Sequence, residues 1–481
     1  MKIGKFELLK SCDLHKQCNI RAAIELINGE FGMIVTIFND DNSMCGIVSS
    51  GDLTKALLNG FSLDDSLELV MNKNPIVIES KDINEEGFSS LIDRLEKLVG
   101  LGPSGNLFRI PVIDDCGNIQ GLITQDMLHP FKKEEKSTNN TLFRPDPHIL
   151  IVGGAGYIGS ILAEMIIDKG WRVRVLDNLL YEQDSLSRFS KKDGFSFVMG
   201  DICDLNTQVE NIKGIDCVVF LAEIVGDPSC KYLPQTALKT NYLAVNSMAN
   251  LCAHTNINRF VYTSSCSVYG ASSNPDDLLN EQSNLSPVSH YARMKRLSEQ
   301  ALFNQLNPLF SPTVLRLATV FGHSHRPRFD LVVNTFAKNA YYDKSLTVYG
   351  GDQWRPNVHV KDVARAIIKV IDSPLNIIKN EIFNVGSNSE NYTIKSLSEM
   401  TKSVFQDCIV HLDAGSADKR NYRIDFSKIR DLLGFDSQYS VLDGLEELKE
   451  VFELKLITKI NDKKYSNIQS FKERELREYQ N

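Results

Sequence analysis

The chain has 481 residues, with 53 Lys and Arg against 61 Asp and Glu, so its formal net charge is −8. This acidic balance argues against nucleic-acid binding through bulk positive charge, and no stretch approaches the roughly 18 consecutive apolar residues of a membrane span. The length predicts two or three domains, and residues 1–5 lead into no apolar signal core, so we expect a cytoplasmic protein.

Ten cysteines are scattered along the chain without a C-x-x-C pair and without neighbouring histidine clusters. Zinc ligands and disulfide frameworks have characteristic spacings that this pattern does not match. We therefore expect free thiols and no metal site.

The first 130 residues read as two similar halves. The first has a helix at 20–28, a strand at 32–38, a turn, and a strand at 45–48, followed by a helix from Asp52. The second repeats this order, with a helix at 91–98 and strands at 109–113 and 119–123. Repetition of one supersecondary unit predicts a tandem module.

This module resembles a pair of CBS motifs over about residues 4–130. In that family a Ser/Thr-x-x-Asp sequence after the last strand holds the ribose of an adenine nucleotide, and Ser49 and Asp52 have this spacing. The second half has Thr124-Gln125-Asp126, which is one residue short. The resemblance implies either a regulatory site for AMP or ATP or a dimerisation module without a ligand.

A polar segment at residues 131–147 separates this module from the rest of the chain. It contains a run of charged and amide side chains and ends with Pro145 and Pro147, which cannot continue a packed helix or strand. We predict four regions: a CBS pair at 1–130, a linker at 131–147, a second domain at 148–460 and a charged tail without function at 461–481.

The second domain opens with an apolar strand and a glycine-rich turn. The strand at 149–152 leads into Gly153, Gly156 and Gly159, and a helix follows from Tyr157. The first glycines allow a tight turn close to a pyrophosphate, the last allows close helix–sheet packing, and the helix N-terminus favours phosphate.

The next strand, at 172–176, ends in Asp177, where a carboxylate can accept hydrogen bonds from both hydroxyls of a ribose. Asn178 follows where an arginine would be needed for a 2′-phosphate, so the sequence favours NAD over NADP. Further strands at 195–199 and 216–221, each followed by a helical stretch, predict a doubly wound parallel sheet.

A serine cluster and a Tyr-x-x-x-Lys pair follow in the middle of this domain. The strand at 259–263 runs into Ser264 and Ser265, and Tyr291 and Lys295 come later at a spacing that puts them on one helix face. A solvent-facing pair would have the same spacing, but the upstream serines and glycine turn favour a catalytic pair.

Together these motifs resemble the extended short-chain dehydrogenases/reductases of the NAD-dependent epimerase/dehydratase family, over about residues 148–452. The resemblance implies an α/β fold with an NAD-binding Rossmann sheet and a small C-terminal substrate-binding subdomain. It implies that Ser265, Tyr291 and Lys295 are the catalytic triad. In this triad, Lys295 favours the phenolate of Tyr291, which takes a proton from a sugar hydroxyl, while Ser265 binds the reacting oxygen.

The resemblance also implies a cofactor site built from the glycine turn, the strand ends and the catalytic helix. Its residues are Gly153, Gly156, Tyr157, Ile158, Gly159, Asp177, Asn178, Asp201, Ile202, Leu221, Ala222, Tyr291, Lys295 and Thr319. The substrate of such a site is a nucleotide-diphosphate sugar, contacted by Ser265, Ser267, Asn334, Arg355 and Arg423. Arginine suits a diphosphate because its guanidinium binds phosphate oxygens in a bidentate manner.

The residues after the serine separate the activities of the family. Family 4,6-dehydratases carry an Asp-Glu pair immediately after the catalytic Ser/Thr, whereas Cys266 and Ser267 stand here. Enzymes that invert carbons 3 and 5 carry a cysteine two places after the serine. Cys266 is only one place after Ser265, and position 267 is a serine, so we interpret Cys266 as a packing residue.

The resulting hypothesis is an NAD-dependent epimerase acting at C4 of a nucleotide-activated hexose, assembled as a homodimer or a larger homo-oligomer. The first alternatives are a dehydratase, dehydrogenase or keto-sugar reductase of the same family. An alternative of another class is a nucleotide-sensing regulatory protein in which the second domain is passive.

Overall fold

The computed structural model divides the chain into two compact units, Met1–Ser137 and Thr138–Asn481. In the N-terminal unit it describes residues 2–3, 6–7, 12–29, 34–41, 43–49, 52–53, 56, 61–84, 91 and 109–124. In the C-terminal unit it describes residues 145–181, 184–255, 257–271, 277–305, 310–413, 420–457 and 459–472. The division between the units falls inside the predicted linker, and the predicted helix at 91–98 lies almost wholly outside the described residues.

The N-terminal unit contains two three-stranded sheets of the same design. In each sheet a parallel pair is followed by an antiparallel hairpin, with a register shift at the same place in the hairpin. The strands of the first sheet are β3 (Cys12–His15), β4 (Val35–Phe38) and β5 (Met44–Val48), and those of the second are β6 (Ile78–Glu79), β7 (Arg109–Ile113) and β8 (Ile119–Thr124). Helix α1 (Ile20–Gly29) buries Ile20 and Ala23 against β4 and β5, and a short hairpin of β1 (Lys2–Ile3) and β2 (Phe6–Glu7) precedes them. The repeated arrangement accounts for the similarity of the two sequence halves.

The C-terminal unit is built on a seven-stranded sheet in which every neighbouring pair of strands is parallel. Its strand order is β11-β10-β9-β12-β13-β15-β19, so the chain leaves β9 towards one edge of the sheet and then towards the other. The strands are β9 (His148–Val152), β10 (Arg172–Asp177), β11 (Phe195–Met199), β12 (Cys217–Phe220), β13 (Arg259–Ser265), β15 (Ser311–Leu317) and β19 (Glu381–Val385). Reversal of direction beside β9 opens a crevice at the carboxyl ends of the strands, where such sheets bind ligands. The predicted fold class is confirmed.

The helices of this unit either cover the two faces of this sheet or form a smaller subdomain beside it. They are α2 (Tyr157–Asp168), α3 (Leu205–Asn211), α4 (Asp227–Tyr232), α5 (Pro234–Leu238), α6 (Ala244–His254), α7 (His290–Phe303), α8 (Val332–Tyr342), α9 (Val360–Asp372), α10 (Leu375–Ile378), α11 (Ile394–Val404), α12 (Ser427–Leu433) and α13 (Val441–Glu453). Alternation of side chains along β9 produces two cores, because Ile149 and Ile151 pack with α2 and α9 while Leu150 and Val152 pack with α6. None of the helices described is long and apolar enough to cross a membrane.

A smaller subdomain packs α8, α11 and α13 around a separate apolar core that includes Phe336, Leu397 and Leu448. The remaining strands are β14 (Leu278–Leu279), β16 (Thr319–Phe321), β17 (Ser345–Tyr349), β18 (Trp354–His359), β20 (Asn391–Thr393), β21 (Ile409–Asp413) and β22 (Arg423–Ile424), which form two- and three-stranded sheets. Residues 459–472, which we call the C-terminal segment, fold back onto this unit and bury Asn467 and Phe471. The described part of the predicted tail is therefore packed on this unit, while the domain limit at residue 460 and the lack of a function for the tail stay predictions.

Candidate active site

A cleft of about 1760 Å³ lies at the carboxyl ends of the strands and extends into the subdomain. It is lined by the glycine turn, the ends of β10, β12 and β13, the start of α7, and the C-terminal segment. All fourteen residues predicted for the cofactor line it, as do Ser265, Ser267 and Arg355 of the predicted substrate set. The fold thus brings predicted site residues that are up to 202 positions apart in the chain, Gly153 and Arg355, into the lining of one cleft.

The glycine turn has no room for side chains. Gly153 has a φ of 84°, and a Cβ atom there would lie 2.6 Å from the backbone nitrogen of Ala222. A Cβ atom on Gly159 would lie 2.5 Å from the Cα of Gly154. Gly156 caps α2 without a side-chain hydrogen bond, which leaves the N-terminal N–H groups of that helix to a ligand. This cradle fits a dinucleotide pyrophosphate.

The side chain of Asp177, at the end of β10, is held by backbone N–H groups of two neighbouring loops. Its carboxylate accepts hydrogen bonds from the backbone N–H groups of Ala155 (3.0 Å) and Leu179 (2.8 Å). Burial raises the pKa of this carboxyl above its usual value, and the two N–H donors oppose that rise. The position fits the ribose contact expected from the sequence.

Three candidate catalytic side chains meet where β13 ends beside α7. Ser265 is the last residue of β13, and its Oγ accepts a hydrogen bond from the backbone of Ser267 at 3.2 Å. Tyr291 and Lys295 occupy the first turns of α7, and the Lys295 Nζ lies 5.6 Å from the centre of the Tyr291 ring. Burial raises the pKa of Tyr291 well above that of free tyrosine, so a nearby positive charge is needed to make it a base at neutral pH.

A buried carboxylate, Glu223, is the functional candidate that the sequence analysis did not identify. Its side chain forms an ion pair with Lys295, both side chains being 3% exposed, and it accepts a hydrogen bond from the Tyr262 hydroxyl at 2.8 Å. Lys295 also donates to the carbonyl of Thr263. Glu223 follows β12 in the sequence, but its relation to Lys295 arises only when β12 and α7 meet in the fold.

The comparisons agree with this geometry. The family model described as NAD dependent epimerase/dehydratase family matches residues 149–386, and the CBS domain model matches residues 14–59. The C-terminal unit belongs to the NAD-dependent epimerase/dehydratase family, and the N-terminal unit contains a CBS domain. NAD is the cofactor of this family, and its redox chemistry is hydride transfer.

The epimerase/dehydratase domain has relatives with different activities. It is 29% identical over 315 residues to a dTDP-glucose 4,6-dehydratase of Streptomyces niveus, covering 63% of this chain and 91% of the relative. It is 27% identical over 315 residues to a UDP-glucuronate 4-epimerase of Thermodesulfobacterium geofontis, covering 62% and 94%. Among solved structures, the UDP-glucuronic acid 4-epimerase of Bacillus cereus in complex with UDP-glucuronic acid and NAD is similar, with 25% identity, a TM-score of 0.57, and coverage of 64% of this chain and 99% of that one.

Two residues predicted to bind the substrate do not line the cleft of the epimerase/dehydratase domain. Asn334 is 1% exposed. Its side-chain amide donates hydrogen bonds to the Tyr157 hydroxyl and to the carbonyls of Arg328 and Gly322, and its side-chain oxygen accepts one from the backbone N–H of Gly322. It joins α2 to the subdomain and is a structural residue, because every polar atom of its amide already has a protein partner. This corrects the prediction of a diphosphate contact.

Arg423 is likewise not among the residues that line the cleft. Its guanidinium lies 4.6 Å from the centre of the Trp354 ring. Arg420, three residues earlier, lines the cleft instead and forms an ion pair with Asp227 at 3.3 Å. Arg355 does line the cleft, and its guanidinium donates to the carbonyl of Trp354 at 2.7 Å.

Cys266 is a packing residue in this domain. Its side chain is buried in the core beneath the sheet, and its Sγ donates to the carbonyl of Arg316 at 3.3 Å. Burial raises the pKa of the thiol, which keeps it protonated and unreactive. Among the residues that the structure describes, no group of three or more His, Cys, Asp or Glu side chains is placed to hold a metal ion.

The Gly153→Ala substitution is expected to weaken NAD binding by at least about tenfold. The added Cβ collides with the backbone of Ala222 in addition to straining a left-handed backbone. Gly170→Ala is the matched control, since Gly170 has a φ of 79° and open space around its Cβ position. The control should lower stability by about 1–2 kcal/mol and leave NAD affinity intact, as measured by calorimetry. Equal NAD affinity in the two variants would show that the glycine turn does not bind the NAD pyrophosphate.

The Glu223→Gln substitution is expected to move the acidic limb of the pH–rate profile to lower pH. The negative charge of Glu223 contributes to the raised pKa of Tyr291, so its removal lowers that pKa. The base form of Tyr291 then persists at lower pH, and activity is retained there. Glu210→Gln, at an exposed Glu paired with Lys213, is the control and should leave the profile unchanged. An unmoved or upward-shifted limb for Glu223→Gln would exclude this charge coupling.

Proposed function

We propose that this protein is an NAD-dependent nucleotide-sugar epimerase that inverts C4 of a hexose. In this proposal the Tyr291 phenolate takes the proton of the C4 hydroxyl, and the Ser265 hydroxyl donates a hydrogen bond to the reacting oxygen. Lys295 holds Tyr291 near its base form and orients the cofactor ribose. NAD supplies the hydride acceptor and donor. After the keto-sugar turns over in the cleft, Tyr291 returns the proton to the oxygen on the inverted carbon.

The observation that carries epimerisation over dehydration is the chemistry of the two side chains after Ser265. Elimination of water needs an acid and a base near the leaving hydroxyl. Cys266 is buried away from the cleft with a raised thiol pKa, and Ser267 contributes only a hydroxyl to the cleft lining. The Ser267 Oγ is buried and has no hydrogen-bond partner among the described residues, which supports a contact with a sugar hydroxyl.

Proton NMR of UDP-glucose, UDP-glucuronate and dTDP-glucose incubated with enzyme and sub-stoichiometric NAD tests this proposal. Inversion at C4 without net NADH formation is the expected result. A new C6 methyl signal would instead identify a dehydratase, loss of the C6 carboxyl a decarboxylase, and lasting conversion of the added NAD to NADH a dehydrogenase. Any of these three results would overturn the epimerase assignment and identify the replacement.

We further propose that the CBS domain binds an adenine nucleotide through Ser49 and Asp52. The Asp52 carboxylate accepts hydrogen bonds from the Ser49 backbone (2.9 Å) and hydroxyl (2.7 Å), which fixes both side chains at the start of a helix. This arrangement supports a ribose contact through the free lone pairs of the carboxylate. Assembly as a homo-oligomer and a cytoplasmic location remain predictions.

AMP or ATP is expected to raise the melting temperature of the full chain, and the Asp52→Ala variant to lose that rise. The variant also loses a helix cap, at a cost of about 1 kcal/mol. Asp443→Ala removes the same kind of cap, formed with Ser440 in the other unit, and is the control that keeps the nucleotide effect. No shift of wild-type protein with either nucleotide would leave the module with an assembly role alone. A nucleotide-induced shift without turnover of any sugar would favour a sensing protein.

A further inference from the structure

A buried arginine without an anionic partner lies in the wall of the cleft. The Arg326 side chain is 3% exposed and faces the cleft, and no carboxylate of the described residues forms an ion pair with it. Its neighbour Arg328 is buried in the same wall but is neutralised by Asp330, with Nε and Oδ1 at 2.9 Å. Buried charges in proteins are normally paired, so Arg326 is incomplete in the protein alone.

Two donors in this part of the wall also lack acceptors. The Arg326 Nε and the Tyr181 hydroxyl are buried and have no hydrogen-bond partner within the described structure. The Arg326 guanidinium lies 4.2 Å from the centre of the Tyr181 ring, so both donors belong to one part of the cleft wall. Buried donors are costly unless an acceptor satisfies them, which here means an oxygen-rich anion.

The C-terminal segment holds this arginine in place. The Arg326 Nη2 donates to the side chain of Asn467 at 2.9 Å and to the carbonyl of Lys464 at 3.1 Å. The Asn467 backbone donates to Asp330 at 3.0 Å. Only the Nη2 edge is therefore held by the segment, while the Nε edge is left for a ligand.

The segment also reaches the two ends of the predicted dinucleotide site. Phe471 packs on Tyr181, with the ring centres 5.4 Å apart. Tyr181 lies four residues after Asp177 in the chain. The same apolar cluster contains Tyr291 on α7. Through Phe471 the segment is thus joined to the loop that follows Asp177 and to the apolar cluster that contains Tyr291.

We propose that Arg326, Tyr181 and Asn467 form a diphosphate-binding corner of the cleft, which the C-terminal segment completes. Arg326 and Tyr181 bind the diphosphate oxygens, and Asn467 is a positioning residue that orients the guanidinium. The diphosphate belongs to NAD or to the nucleotide sugar, so this assignment rests on the proposed function for the identity of its ligands. Its tests measure binding without turnover and can fail independently of the epimerase assignment.

The first test compares ligand affinities of the full chain and its Arg326→Met variant by calorimetry. NAD is titrated into cofactor-stripped protein, and UDP is titrated into NAD-loaded protein. We expect the variant to weaken one of the two ligands by at least about tenfold, and the weakened ligand identifies the source of the diphosphate. Arg430→Met removes an exposed arginine paired with Asp431 and controls for the change in net charge. Unchanged affinity for both ligands would overturn the proposal.

The second test asks whether the C-terminal segment acts through Arg326. Asn467→Leu removes the acceptor with little change in volume, and we expect it to weaken the same ligand by about threefold to tenfold. In the double variant with Arg326→Met this loss should disappear, because the positioned group is absent. Additive losses would exclude the positioning role of Asn467. Arg326→Lys retains the charge, and an intermediate affinity is expected if Arg326→Met does not fold.

Discussion

Turnover is expected to fall by about a thousandfold when Tyr291 is replaced by Phe, while NAD remains bound. The substitution removes the hydroxyl that would carry the proton but keeps the ring, which packs in the cluster with Phe471 and Met294. The contacts of the cofactor cradle are untouched, because they come from the glycine turn and Asp177. Loss of activity with retained NAD would therefore separate the chemistry from the binding.

The measurement is the turnover number at saturating sugar nucleotide, together with the NAD content of the purified protein. Tyr342→Phe, on α8 in the subdomain at 39% exposure, is the matched control and should match wild type. If Tyr291→Phe retained turnover within twofold of wild type, Tyr291 would not be the proton carrier. The mechanism proposed above would then be wrong.

The Arg316→Met substitution is expected to lower the free energy of unfolding by about 3–5 kcal/mol. Arg316 on β15 forms two hydrogen bonds with Glu299 on α7, at 3.1 and 2.8 Å, and a third with the Tyr269 hydroxyl at 2.9 Å. Glu299 also accepts from Ser264, the neighbour of Ser265. Removal of the arginine leaves a buried carboxylate without its counter-ion inside the element that carries the catalytic pair.

Urea unfolding of the NAD-free protein, followed by tryptophan fluorescence and circular dichroism, gives the free energy. Arg430→Met should change stability by less than about 1 kcal/mol, because exposed ion pairs contribute little. The double variant Arg316→Met with Glu299→Leu should recover part of the loss, since it removes both buried charges. A loss below about 1 kcal/mol for Arg316→Met alone would contradict this expectation, because the buried charge of Glu299 would then be stabilised without Arg316.

Some features of this protein follow from short-range patterns. The glycine turn, Asp177 and the Tyr-x-x-x-Lys pair could be recognised because neighbours in the sequence determine the strand, turn and helix that carry them. Predicted strand limits agree closely with the structure, as for 195–199 and β11 (Phe195–Met199). Alternating burial on the two faces of the sheet likewise follows from the apolar runs.

Residues far from the catalytic helix in the chain could not be assigned in this way. The partner of Glu223 is 72 positions away, and the partner of Asn467 is 141 positions away. Asn334 looked suited to a substrate contact, but the packing of α8 against α2 turns its amide inward. No local pattern specifies which long-range neighbour a polar side chain will meet.

The sequence alone determined the type of fold, the cofactor and the candidate catalytic triad, because these depend on backbone conformations that a few adjacent residues impose. The tertiary structure decided which charges are paired and which are left for a ligand. That choice depends on how separate elements pack, since burial makes each ionic partner necessary and only the fold brings the partner within reach. The buried pair at Lys295 and the burial of Arg326 without a carboxylate partner among the described residues are both products of that packing.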